Sequence, residues 1–182
     1  MARIISSFFI SLDGVVESPD QWHFPYWNDE MGDAVQASMQ SAAAMLMGRR
    51  LYDEWSAYWT SAEAEQEVAA LFTGTRKYVV SGSLEKADWA NTTIVSGDVA
   101  ARLRELKEEI GGGDIHMSGS ATTVRWLLAN RLLDELNLLV HPIAVGHGQR
   151  LFEDTPTHPL KLVKSETFRT GVLNLTYVPD AG

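Results

Sequence analysis

The apolar residues of this chain fall into short runs, and the spacing around those runs changes near Asn130. Up to that point, apolar runs of strand length alternate with stretches whose apolar positions recur at helical spacing. Residues 3–12 contain the run IISSFFISL, which predicts a buried strand closed by the turn signal Asp13-Gly14. Residues 15–29 follow neither period. They contain Pro19, Pro25 and the aromatic residues Trp22, Phe24, Tyr26 and Trp27, and a loop of that length in a compact domain points to function or mobility. Asn28 or Asp29 is placed to cap a helix whose inner face holds Met31, Val35 and Met39.

A short apolar run at 44–47 stops at Gly48-Arg49-Arg50 and predicts a strand that feeds a helix carrying Leu51, Tyr52 and Trp55. A second helix is predicted over 62–72. Strands at 77–80 and 92–95 break at Ser81-Gly82-Ser83 and at Ser96-Gly97-Asp98. A helix over 99–110, with Leu103 and Leu106 inward, ends at Gly111-Gly112-Gly113. Ile115 and Met117 then lead through Ser118-Gly119-Ser120 into a helix whose inner side is Ala121, Val124, Leu127 and Leu128.

Beyond Asn130 the helical rhythm disappears. Residues 133–145 read as one long strand, with Pro142 implying a bulge or an edge. Residues 160–168 and 172–178 alternate around Thr170-Gly171 as a β-hairpin. The pattern predicts a single α/β domain over 1–182, with a mostly parallel central sheet and antiparallel C-terminal strands.

Four strand ends in this scheme carry glycine or small polar residues, at Gly48, 81–83, 96–97 and 118–120. In open α/β sheets ligands bind outside the carboxyl ends of the strands, and a glycine turn opening a helix presents backbone N–H groups to an anion. A row of such turns makes a groove long enough for a dinucleotide. The spacing fits neither a GxGxxG fingerprint nor a Walker A loop.

Composition narrows the partners. The 182 residues include 15 Lys and Arg against 24 Asp and Glu, a formal charge of −9, with no basic run. A nucleic-acid footprint is therefore not expected, and any phosphate site must be built locally from backbone donors and a few arginines such as Arg49 and Arg50. Without cysteine there is neither a thiol nucleophile nor a thiolate metal site. The five histidines show no HxH or HExxH spacing, so no metal is expected. The N-terminus lacks a signal-peptide pattern and no stretch approaches the ~20 apolar residues of a membrane span, so the expected setting is cytoplasmic. Phosphate-binding turns, an aromatic loop and no nucleophile motif are best explained if a cofactor supplies the chemistry.

SLDG (11–14), LMGRRLYDEW (46–55), YVVSGSL (78–84), HMSGSATTVRWLL (116–128) and DELNLLVHPIAVGHGQRLF (134–152) occur in the order found in the dihydrofolate reductase-like superfamily. The chain most resembles the bacterial proteins related to the reductase domain of the bifunctional riboflavin biosynthesis deaminase-reductase. The resemblance implies the dihydrofolate reductase-like three-layer fold and an NADPH-dependent, homodimeric reductase. Its substrate would be a small pteridine- or pyrimidine-like molecule, of the kind represented by 5-amino-6-(5-phosphoribosylamino)uracil.

The resemblance places the cofactor phosphates at Met47, Gly48, Arg49 and Arg50 and the adenosine side at Val80, Ser81, Gly82 and Ser83. It places the pyrophosphate at Met117, Ser118, Gly119, Ser120, Ala121 and Thr122. Asp13 and Glu30 are the candidates for orienting the substrate or handling its proton, which requires a raised pKa in a dry pocket. Trp22, Phe24 and Trp27 are the candidates for stacking on the substrate. Two departures concern that substrate. Trp27 stands where dihydrofolate reductases place their pterin-binding carboxylate, and Met117-Ser118-Gly119 stands where the riboflavin-type reductase has Glu-Gly-Gly. The competing expectation is a non-catalytic NADP(H)- or nucleotide-binding sensor that keeps the groove alone.

Overall fold

The computed structural model describes residues 1–180. Its eight strands are β1 (Ile4–Ser11), β2 (Ala42–Gly48), β3 (Arg76–Val80), β4 (Thr92–Val95), β5 (Asp114–Met117), β6 (Glu135–His141), β7 (Leu160–Thr167) and β8 (Leu173–Pro179). They join one sheet in the order β4-β3-β2-β5-β1-β6-β8-β7. Every pairing among β1 to β6 is parallel, while β8 runs antiparallel to β6 and to β7. The α/β architecture with antiparallel C-terminal strands is the one the alternation predicts.

Five helices cover the sheet: α1 (Asp29–Ser41), α2 (Arg49–Trp59), α3 (Gln66–Gly74), α4 (Val99–Glu109) and α5 (Ala121–Ala129). The face bearing Ile4, Phe8, Leu46 and Ile115 packs against Leu103 and Leu106 of α4 and Val124, Leu127 and Leu128 of α5. On the opposite face, Met45, Met47 and Val79 pack with Tyr52 of α2 and Phe72 of α3. Met31 of α1 meets Phe168 and Val172 of the C-terminal turn. β2 is apolar on both sides because both of its faces are covered, as a central parallel strand requires.

Caps start the helices where polar residues supply them. Asn28 Oδ1 accepts from the Met31 N–H, so Asn28 is the cap of α1. Asp98 does the same for α4 and Ser120 for α5. Two expectations were too long. β6 ends at His141 rather than at 145, because Pro142 has no N–H to continue the ladder. The helix expected from 62 begins at Gln66, where the Glu65 side chain caps it.

The end of α3 holds a feature that the apolar pattern hides. Lys77, the second residue of β3, is fully buried. Its ammonium donates to the backbone carbonyls of Phe72 (2.6 Å), Thr73 (3.2 Å) and Thr75 (2.7 Å). It also sits 4.5 Å from the Trp89 ring centroid. Burial draws its pKa down to about 8. The lysine thus satisfies carbonyls that a helix C-terminus leaves without partners, and it fixes α3 to the strand that leads towards Ser81.

Candidate functional site

Because β4, β3, β2 and β5 are neighbours and parallel, their carboxyl ends lie side by side on one edge. The four turns singled out in the sequence therefore meet: Ser96-Gly97, Ser81-Gly82-Ser83, Gly48 and Ser118-Gly119-Ser120. Gly48 is the tightest point of this edge. A Cβ on Gly48 would lie 2.9 Å from Thr123 Oγ1 and 3.7 Å from Ser120 Oγ. The start of α2 thus abuts the start of α5, and a side chain at Gly48 would have to displace Thr123 Oγ1.

Around this junction the donors are ordered locally. Ser120 Oγ accepts from the Thr123 N–H (3.4 Å) and shares a hydrogen bond with Thr123 Oγ1 (3.1 Å). Gly119, at a φ of 88°, takes a left-handed conformation suited to glycine, and the Gly119–Ser120 peptide is cis. Met47 and Ala121 are core residues whose side chains are buried, while Ser118 and Thr122 are exposed. Ser81 Oγ accepts from the backbone of Ser83 (3.2 Å) and Leu84 (3.0 Å), shaping its own turn and leaving Gly82 and Ser83 exposed beyond a half-buried Val80.

Arg49 and Arg50 lie in the first turn of α2 and reach along the helix. The Nε of Arg49 contacts both Asp53 carboxylate oxygens (2.9 and 2.8 Å), and the Nε of Arg50 contacts Glu54 (3.0 Å). Exposed pairs of this kind are weakly held, so both guanidinium groups remain beside the junction and able to exchange partners.

The loop after β1 is fastened to the loop after β6 by carboxylates. Asp13 Oδ1 accepts from Ser11 Oγ (2.6 Å) and the Val145 N–H (2.9 Å), and Oδ2 accepts from the Gly146 N–H (2.8 Å). Glu17 accepts from the Gln149 N–H (2.7 Å). The Ser11 hydroxyl, and then the two backbone donors, hold the Asp13 carboxyl down to about 2. Glu30 accepts from the Arg169 N–H (2.8 Å) and Asn28 Nδ2 (2.7 Å), and the Arg169 backbone donor lowers its pKa as well. The raised pKa expected of a proton-handling carboxylate is found at neither residue. Each is an ionised tie, Asp13 between two loops and Glu30 between α1 and the β7–β8 turn.

The aromatic loop closes over histidine. Trp22 is buried, with its indole N–H on the Glu17 carbonyl (3.2 Å) and its ring edge-on to His141 at 5.2 Å. His23 stacks on Phe9 at 4.6 Å, and Tyr26 and Phe9 also stand edge-on to His141. The His141 Nδ1–H donates to the Leu139 carbonyl (2.8 Å). Its Nε2 and the His23 Nδ1 are buried without partners. Burial lowers the pKa of both histidines. Of the stacking candidates only Phe24 and Trp27 are exposed; Trp22 is core.

A cavity of about 860 Å³ opens under α1. Its lining runs from Phe8, Met117 and Ser118 near the glycine turn before α5 to Arg3 and Glu135, and includes Met39 and Trp55. Among its polar groups, His116 lies between Ser38 Oγ (3.0 Å at Nδ1) and Ser41 Oγ (3.1 Å at Nε2), and burial lowers its pKa. The sequence reading missed Thr123, His116 and the polar floor. The polar positions Glu135 and Asn137, alternating with Leu136 and Leu138, were the available signal that one face of β6 is not core. Met117 and Ser118 are the only previously named cofactor residues that reach this cavity. Among the described residues, no group of three or more His, Cys, Asp or Glu is arranged to hold a metal ion, and no helix is long and apolar enough to cross a membrane.

Comparison with known proteins meets this geometry. The uncharacterized protein YyaP of Bacillus subtilis (strain 168) is 28% identical over 180 residues, covering 96% of this chain and 94% of its own. A protein of Shewanella sp. PV-4, assigned by its name to riboflavin biosynthesis, superposes with a TM-score of 0.79 over 99% of both chains at 20% identity. Dihydrofolate reductase from Enterococcus faecalis, solved with NADP(H), superposes with a TM-score of 0.61 over 98% of this chain and 96% of its own, at 11% identity. The model of the RibD C-terminal domain matches residues 2–174. With a parallel sheet, a double helix start at its carboxyl edge and this match along almost its whole length, the chain belongs to the RibD C-terminal domain family and has the dihydrofolate reductase-like fold.

Proposed function

We propose that this protein is an NADPH-dependent reductase acting on a C=N or C=O bond of a planar pteridine- or pyrimidine-like heterocycle. The observation that carries this reading is the Gly48–Thr123 approach. It sets the N-termini of α2 and α5 together, beside a cavity that Met117 and Ser118 also line. Two helix starts present backbone N–H groups and the positive ends of their dipoles to one place, which suits a pyrophosphate in an otherwise acidic protein.

In this reading Gly119, Ser120, Ala121 and Thr122 hold the pyrophosphate through backbone N–H groups, with Ser120 and Thr122 adding hydroxyls. Arg49 and Arg50 exchange their helical carboxylate partners for cofactor phosphate, and Val80 to Ser83 border the adenosine. NADPH would supply a hydride. The residues 13–16 and 145–150, tied through Asp13, exclude water over the nicotinamide end, and Asp13 and Glu30 act by orientation while remaining ionised. Phe24 and Trp27 flank the entrance. The working unit is a cytoplasmic homodimer, a reading compatible with the open edge strand β7, which is exposed along nearly all of its length.

The test is NADPH oxidation, followed by absorbance, with dihydropteridine and aminopyrimidine substrates. Oxidation that depends on the heterocycle supports the reductase. Saturable cofactor binding with no turnover on either class would favour the sensor.

A further inference from the structure

The cavity under α1 has an electrostatic character opposite to that of the turns on the sheet edge. Its lining includes two cations, Arg3 and Lys164, against four carboxylates, Glu30, Asp33, Glu135 and Glu166. Arg3 is held by two carboxylates, whereas Lys164 belongs to an exposed and weakly held pair. Arg3 bonds Asp114 at 2.6 Å and Glu135 at 2.9 Å, and Lys164 lies 3.4 Å from Glu166. Glu30 is paired in turn with Arg169 at 3.4 Å, while Asp33 has no ion-pair partner among the described residues. The C-terminal turn of α1, with Ser38 and Ser41, also borders the cavity and brings the negative end of its dipole there.

The floor is a preordered polar ladder across the sheet. Arg3 holds Glu135 Oε2, Asn137 Nδ2 donates to Glu135 Oε1 (3.1 Å), and Thr176 Oγ1 donates to Asn137 Oδ1 (2.8 Å). His116, which burial keeps towards its neutral form, completes the polar lining with its two serines. Carboxylates, hydroxyls and a neutral imidazole favour hydrogen-bond donors on a ligand. A phosphate ester, with nearly two negative charges at neutral pH, would enter a region where fixed negative charge is in excess and the one weakly held cation of the lining is Lys164.

We propose that this cavity selects an unphosphorylated amino-bearing heterocycle, uncharged or cationic, and rejects the phosphate ester of the same compound. The inference rests on the reductase reading for the reaction, while ligand selection can be measured by binding alone. It separates this chain from an enzyme acting on 5-amino-6-(5-phosphoribosylamino)uracil and narrows the substrate to the dephosphorylated class.

Isothermal titration calorimetry of the full chain saturated with NADP⁺ tests the inference with two matched pairs. These are 5-amino-6-(ribosylamino)uracil and neopterin, each with and without its phosphate ester. At least one unphosphorylated compound should bind about tenfold or more tightly than its ester, the scale expected from a few like charges at partly screened distances. Asp33→Asn should narrow the gap, and Asp33→Lys should narrow it further. Equal or tighter binding of the esters overturns the inference, as does binding of none of the four compounds. NADPH oxidation supported only by the esters would also overturn it while leaving the reductase standing. Binding of an unphosphorylated compound without NADPH oxidation would do the reverse.

Discussion

At Gly48, one missing side chain decides whether two helices can share a ligand. A methyl group there would press on Thr123 Oγ1, which is itself held by Ser120. Gly48→Ala should cost about 1 kcal/mol of stability, at the lower end for overpacking. It should also weaken NADPH binding much more than that strain alone predicts, because it moves both sets of backbone donors. Calorimetry on the variant and the parent checks both quantities, and an unchanged affinity would show that the junction does not hold the cofactor. Replacing Arg49 and Arg50 by alanine together should weaken NADPH by roughly tenfold, the loss of charge-assisted hydrogen bonds. It should leave thermal stability nearly untouched, since their present partners are exposed i,i+4 carboxylates. The glycine and both arginines were visible in the sequence. Thr123 was not, because its role depends on a neighbour 75 residues away.

At the scale of elements, the alternation of apolar runs showed the strands and helices and their class, since a central parallel strand such as β2 is covered on both faces and must be apolar. What escaped is where polar side chains replace apolar ones for a local reason. Lys77 stands inside a strand, and only the end of α3 explains it. Lys77→Met keeps the volume but takes the ammonium from the Phe72 and Thr75 carbonyls, while Thr73 O keeps the Asn91 amide. A loss of about 2–3 kcal/mol is expected, the penalty for buried unsatisfied groups, measurable as a lower denaturant midpoint with an unchanged slope. Asp13, which follows a buried strand, is expected from the sequence to orient the substrate or handle its proton. Its environment shows why the residue type alone could not settle the role: two loops supply N–H donors that favour the carboxylate. Asp13→Asn should loosen residues 145–150, seen as faster amide exchange at Val145 and Gly146, before it changes any chemistry.

For the whole molecule, the buried histidines give stability a definite pH dependence. His23, His116 and His141 all have folded pKa values pushed below the ordinary value of about 6.5, chiefly by burial. Below that pH the unfolded chain takes up protons that the folded chain resists, so stability should fall as pH drops from 7 towards 5.5. The tied carboxylate Asp13 contributes only at lower pH, as the medium falls from its unfolded value towards about 2. His141→Phe, which keeps a ring among Phe9, Trp22 and Tyr26, should flatten the fall, and denaturant midpoints at the two pH values measure it. An undiminished fall would remove His141 from the account.

The central claim is that the carboxyl edge of this sheet binds NADPH. Titrating the full chain with NADPH and with NADH, following energy transfer from tryptophan to the reduced nicotinamide, tests it most directly. Saturable binding of NADPH that is stronger than binding of NADH, and weakened by Gly48→Ala, is the result predicted; no binding of either nucleotide would contradict it.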